Sequence, residues 1–309
     1  MSAGWVAAGV RGQGLTRRRL GDDGARSLAA SESLTDALTI LVRTPYGRDV
    51  RADMDLTDAQ HAVAATVLWH LRILAGWAPS LRSGSLRLMA AGFEITNVIG
   101  HMARISGQPA PAPYALGSLS MAWPTVSVAR TPAEVRTALR SSMWGDPGSG
   151  DLATIRLTLQ FGWTRRVLDS VPAAADWAIS RTALMVARVL AAGALPTLSR
   201  STRRDVTHVL GPQWQQARSL DELARCLPRP AAQALQGVDA ADDLWRAEVR
   251  WWATVESAAA TLATLPHPGP SSAIGVVGLL ATDAWRTRAA LAIAARGGGE
   301  LSEVLDAVA

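Results

Sequence analysis

The sequence predicts an all-α protein, and three observations carry that prediction. Apolar residues recur at helical spacing over long stretches. Sustained period-two alternation of β-branched residues is missing. A capped helix ending is written more than once along the chain. With 49% hydrophobic and 18% charged residues over 309 positions, the chain can bury a sizeable core and folds rather than staying disordered.

The first long helix is expected from Thr57, with Gln60 completing a capping box and Gly76 and Pro79 as the stop. Val63, Val67, Leu71 and Leu74 form its apolar stripe. A second begins at Asp243, with Leu244, Trp251, Val255, Ala258, Leu262 and Leu265 on one face and Pro266 at its end. Two more are expected from Arg181 and from Ala284, each closed by glycine. Loops are expected over Gln108–Pro113, Asp146–Asp151 and His267–Ser272.

The repeat is the most informative feature. SLTDALTILVRTPYG, from Ser33 to Gly47, is echoed position by position by TPAEVRTALRSSMWG, from Thr131 to Gly145. Ser33 and Thr131 are N-caps with an acid three residues on, and Pro132 suits the first helical position. Leu41 and Leu139 face inward, and Tyr46 and Trp144 are rings tucked over the helix end before the turn glycines Gly47 and Gly145. A faded third copy runs from Ser219 through Glu222 to Leu227, with Pro228 where the aromatic–glycine ending would stand. An arginine-containing helix closed by glycine precedes the second and third copies (Arg104 with Gly107, Arg188 with Gly193). Repetition on this scale reads as packed helical modules, with expected bounds 1–93, 94–178 and 179–309.

Charge gives little direction. All 31 basic residues are arginine, the only asparagine is Asn97, and 26 acidic residues leave a net charge of +5. That bias fits a GC-rich coding sequence and does not call for a nucleic-acid partner. The single cysteine, Cys226, excludes an internal disulfide and a multi-cysteine metal site, and fits a reducing compartment. The N-terminus places its charges after its apolar residues, the reverse of a signal peptide. No apolar run reaches the roughly 18 to 20 residues that span a bilayer, the nearest being SSAIGVVGLLATDAW from Ser271.

Candidate chemistry is sparse, and no cofactor or small-molecule substrate is expected. Asp239, Asp242 and Asp243 resemble the acid clusters that hold magnesium diphosphate on all-α scaffolds, but no second cluster accompanies them, and a helix-start role explains them better. The five histidines are scattered without metal-ligand spacing. Cys226 reads as core. GVRGQG, from Gly9, lacks the strand and Lys-Ser/Thr of a phosphate loop and reads as glycine-rich turns beside a helix. Of the pair Trp251–Trp252, one ring is expected in the core and the other exposed or at an interdomain contact.

The capped helix followed by Leu-x-x-Thr-x-Tyr-Gly resembles the central-stalk C/d family of V-type and A-type rotary ATPases, which occurs in bacterial and archaeal motors and in the vacuolar ATPase. Val10–Arg11 and Ser33 through Gly47 match its N-terminal pattern. Asn97, Arg104, Gly107 and the loop Ala115 to Ser120 follow in the family's order. WRTRAALAIAARGG and then ELSEVLDAVA, from Glu300, are similar to its C-terminal helices, although Asp283 precedes the arginines out of the family's register.

The resemblance implies three similar helical-bundle modules arranged as a pseudo-threefold funnel. It implies a non-enzymatic adaptor, peripheral on the cytoplasmic face of the membrane, that joins the central rotor shaft to the proteolipid ring during ATP-linked proton or sodium transport. Twelve tryptophans suit a stiff body with large interfaces. Arg17, Arg18, Arg19, Arg286 and Arg288 are the candidate partner contacts, facing acidic rotor loops or anionic headgroups. The alternative is a generic basic all-α scaffold or nucleic-acid-binding protein, with a contiguous arginine face and steeply salt-dependent binding.

Overall fold

The computed structural model describes residues 3–78, 84–193 and 198–299, and no strand occurs among them. In chain order the helices are α1 (Ala3–Thr16), α2 (Gly21–Ala29), α3 (Leu34–Leu41), α4 (Leu56–Trp77), α5 (Gly84–Ile105), α6 (Trp123–Val126) and α7 (Pro132–Arg140). They continue with α8 (Leu152–Ser170), α9 (Ala175–Ala191), α10 (Arg200–Leu210), α11 (Leu220–Cys226), α12 (Arg229–Ala234), α13 (Leu244–Ala263) and α14 (Pro270–Ala294). No described helix is long and apolar enough to cross a membrane.

The chain forms two compact units. One joins Met1–Leu86 to Trp252–Ala309, and the other is Arg87–Trp251. In the first, α14 packs against α1, α2, α3 and α4. Every residue of α14 from Ser272 to Leu280 is buried, so this helix is enclosed on several sides. A helix apolar nearly all round needs partners on every side, and the N-terminal helices supply them. The C-terminal helix therefore packs with the N-terminal segment, whereas the sequence grouped it with residues 179–309. The acidic stretch from Glu300 lies outside the described residues.

The second unit has two hydrophobic clusters. One gathers Val98, Met102, Val135, Leu139, Trp144 and Ile155. The other gathers Phe161, Leu184, Val206, Leu210, Leu223 and Ala247. Thr131 therefore caps a helix that buries Leu139 in one cluster, and Ser219 caps a helix that buries Leu223 in the other.

Several helix limits differ from the sequence expectation for local reasons. The cap of α4 is Asp55, which accepts a 2.8 Å bond from the Asp58 amide; Gln60 instead donates to the Arg288 carbonyl. Asp is as good a cap as Thr and stands two residues earlier. That helix ends at Trp77, and Pro79 lies outside the described residues. The C-terminal helix starts at Pro270, inside the stretch read as a loop, because Pro at the first turn costs no hydrogen bond. The glycines of GVRGQG are not turns; they lie within α1. A Cβ on Gly12 would come within 2.8 Å of Val276 Cγ2, so the glycine lets α1 and α14 approach closely.

Candidate functional site

The repeated motif folds as a joint, and each full copy is closed by a buried acid from elsewhere in the chain. In the first copy, Ser33 Oγ accepts from the Asp36 amide at 3.2 Å and starts α3. At the other end, Thr44 Oγ1 donates to the Leu41 carbonyl at 2.7 Å and accepts from the Tyr46 amide at 3.2 Å. This turn drives the Tyr46 ring into the interior, where its hydroxyl donates to Asp283 Oδ2 at 2.8 Å. Asp283 also accepts from the Leu20 and Gly21 amides at 3.1 and 2.8 Å, so it caps the start of α2 from the middle of α14. Those amides have no partner within their own helix, and the helix dipole favours a negative charge there. Burial and the Asp283 charge push the Tyr46 hydroxyl well above its ordinary pKa, which keeps it a donor.

The second copy repeats the arrangement with different letters. Thr131 Oγ1 accepts from the Glu134 amide at 3.2 Å. Ser142 Oγ donates to the Leu139 carbonyl at 2.7 Å and accepts from the Trp144 amide at 3.1 Å. The Trp144 indole then donates to Glu94 Oε1 at 2.9 Å. Glu94, 1% exposed, also accepts from the Met121 and Ala122 amides at 2.6 and 2.8 Å, ahead of α6. Each joint is thus one buried carboxylate, two consecutive backbone amides and one aromatic donor. Sequence reading found the lids and missed both acids. The available signal was an acid in the middle of an apolar helix, in AAGFEITNVI and LLATDAWRT.

The two glycines serve the joints differently. A Cβ on Gly47 would collide with the Val42 carbonyl oxygen. Gly145 instead has φ of +78°, a left-handed conformation that glycine adopts without strain. The third copy keeps the start of the joint: Ser219 Oγ accepts from the Glu222 amide at 3.2 Å, and Glu222 reaches back to the Arg218 amide at 2.7 Å. It then leaves the helix in extended backbone at Leu227.

The helix carrying Glu94 also fixes the segment that follows it. Asn97, 2% exposed, donates to the Tyr114 carbonyl at 2.9 Å and accepts from the Tyr114 amide at 2.7 Å. Arg104 donates to the Pro111 carbonyl at 2.7 Å. These bonds anchor the proline-rich loop to α5.

The candidate contact arginines divide. Arg17 and Arg288 are exposed. Arg286 is turned inward at 8% exposure and is ion-paired with Glu256, which Arg19 also reaches at 3.3 Å. Its guanidinium therefore holds α14 to α13 within the first unit, because a buried cation needs a carboxylate beside it. Arg18 and Arg19 line a cavity of about 280 Å³ in the same unit, together with Arg11, Arg48, Trp69, His70, Tyr46 and Asp283. Arg48 lies 4.3 Å over the Trp69 ring. His70 is 8% exposed and its Nδ1 is buried without a hydrogen-bond partner. Burial, with Arg11 and Arg48 nearby, lowers its pKa to about 4, against a smaller opposing pull from Asp49.

The remaining candidates have local roles. Asp239 and Asp242 are exposed, and Asp243 accepts from the Ala240 amide and pairs with Arg246 at the start of α13. Acids placed at the surface in this way cap a helix start and do not form the buried diphosphate cluster. Cys226 is half-buried beside the second cluster, and burial raises its thiol pKa. The two tryptophan rings are both half-buried. Trp251 donates to the Trp177 carbonyl at 3.1 Å within the second unit, while Trp252 stacks on Trp285 at 5.6 Å within the first. Among the described residues, no three of His, Cys, Asp and Glu come together where they could hold a metal.

The fold and these joints define an all-helical protein whose best-buried acids hold helix ends. No family model matches the chain, and no curated protein does.

Proposed function

We propose that this chain is a non-catalytic adaptor of a rotary ATPase of the V/A type, joining the central rotor shaft to the membrane proteolipid ring. The observation that carries the reading is the repeated joint, in which Tyr46–Asp283 and Trp144–Glu94 have the same parts in the same relation. An adaptor that passes torque needs modules that do not bend where their helices meet. Each joint answers that need by tying a helix start, a helix end and a distant helix to one buried charge. The order of the Val10–Arg11, Ser33–Gly47, Asn97–Arg104 and Arg286 elements along the chain supports the same family. The protein rests on the cytoplasmic face, with the exposed Arg17 and Arg288 among its contacts, each contributing about 1 kcal/mol near an anionic surface.

Removal and add-back in membrane vesicles test the role. Vesicles stripped of this protein are expected to lose ATP-driven ion uptake while hydrolysis by the catalytic sector continues, and purified protein restores uptake. Uptake that is unchanged by stripping overturns the proposal.

A further inference from the structure

We propose that the cavity between α1, α4 and α14 binds a compact phosphate monoester through Arg11, Arg18 and Arg48, with Trp69 and His70 in its wall. The site lies wholly within one compact unit and does not depend on the coupling role.

Four guanidinium groups border one cavity of about 280 Å³. Arg19 already shares Glu256, and Arg48 is 3.4 Å from Asp49. Arg11 and Arg18 have no ion-pair partner among the described residues, and both are exposed at the mouth. The carboxylates nearby are committed elsewhere. Asp283 accepts from two amides and Tyr46, and Asp49 accepts from Thr66 Oγ1 at 2.8 Å. The cavity therefore offers unmatched positive charge, and guanidinium groups fit phosphate oxygens with paired donors.

The second observation is the state of His70 beside these arginines. The buried Nδ1 of His70 has no partner, although buried polar atoms almost always have one. His70 lies in the cavity wall, and an anion there would offset the repulsion that Arg11 and Arg48 exert on its imidazolium. The volume is near the lower end of small-molecule sites, which begin at about 300 Å³. It suits a phosphate on a small organic body, and the wall of Trp69, Val67 and Leu280 gives that body an apolar surface.

A phosphate monoester reaches such a site either as a soluble metabolite or as a lipid headgroup, and two probes distinguish them. Glycerol 3-phosphate is titrated by calorimetry, and phosphatidylcholine vesicles with and without phosphatidic acid are tested by flotation. Saturable glycerol 3-phosphate binding, with His70 imidazole resonances reporting a raised pKa in the bound state, supports the site and a soluble ligand. Phosphatidic-acid-dependent flotation that glycerol 3-phosphate displaces supports the site and a headgroup. In either arm Arg11→Ala and Arg18→Ala each weaken binding about tenfold or more. Arg229→Ala, exposed and in the other compact unit, leaves binding unchanged. The substituted arginines are exposed, so unaltered circular dichroism confirms that the fold is intact. Absence of saturable binding to both probes, or equal binding by the Arg11→Ala/Arg18→Ala variant, overturns the proposal.

Discussion

The hydroxyl of Tyr46 donates to Oδ2 of Asp283 at 2.8 Å across 237 positions of sequence, and this one bond joins the end of α3 to the middle of the last described helix. Trp144 does the same for Glu94 at 2.9 Å. A phenol and an indole share little chemistry beyond a flat body and one donor. Those two properties are what the joint uses.

Removing either donor leaves a buried carboxylate with its two amides and one acceptor site unmet. Tyr46→Phe and Trp144→Phe are each expected to lower stability by about 1–2 kcal/mol. The two joints share no partner, so the double variant should lose the sum of the two effects. Denaturant unfolding measures both, and clear non-additivity would show that the joints are not independent. Replacing the acid itself, by Asp283→Asn or Glu94→Gln, should cost more, about 3 kcal/mol, since an amide group then faces backbone N–H groups.

The glycines are distinguished by substitution type. Gly145→Asn should be milder than Gly145→Ala, because asparagine tolerates the left-handed conformation. At Gly47 the obstacle is the Val42 carbonyl, so asparagine gains nothing over alanine and both destabilise. Melting temperatures of the four variants check this, and a rescue of Gly47 by asparagine would refute the steric account.

Asn97 makes paired bonds to the backbone of Tyr114. Asn97→Asp replaces a donor with a second acceptor against the Tyr114 carbonyl, and a loss of about 2 kcal/mol is expected. Hydrogen exchange of the Tyr114 amide should quicken in this variant. Unchanged protection there would argue that the loop is held by Arg104 alone.

Two buried groups contribute to the pH dependence of stability at opposite ends of the range. His70 has its pKa lowered to about 4 in the fold, so the unfolded chain takes up its proton first as pH falls. Its contribution is complete above about pH 6.5, the ordinary imidazole value, and is lost progressively towards pH 4. Tyr46 has its pKa raised, so its contribution is complete below about pH 10 and declines as pH rises beyond that. Unfolding free energies measured across pH should show both slopes. His70→Gln should reduce the slope between about pH 6.5 and 4, and Tyr46→Phe the slope above about pH 10.

The fold class and the near ends of the joints were legible because they are local. A cap such as Ser33 or Thr131 acts on an amide three residues away, and helical periodicity needs only a few turns of sequence. The acids were not legible for the opposite reason. Glu94 meets Trp144 across 50 positions and Asp283 meets Tyr46 across 237, and nothing near the rings announces those partners. Arg286 and Arg288 read alike in sequence, yet one is buried against Glu256 and the other is exposed, because they fall on different faces of α14. The arginine-lined cavity was invisible as a site. Arg11, Arg48 and His70 lie on separate elements, and only the packing of α1 on α4 and α14 brings them together.

The most direct test of the coupling role is recovery of the protein with its neighbours. The tagged chain is captured from native membranes after mild detergent extraction, and the associated proteins are identified by mass spectrometry. The account predicts co-recovery of the ring-forming proteolipid and the rotor shaft proteins in fixed ratio. Recovery of the chain without either of them would contradict it.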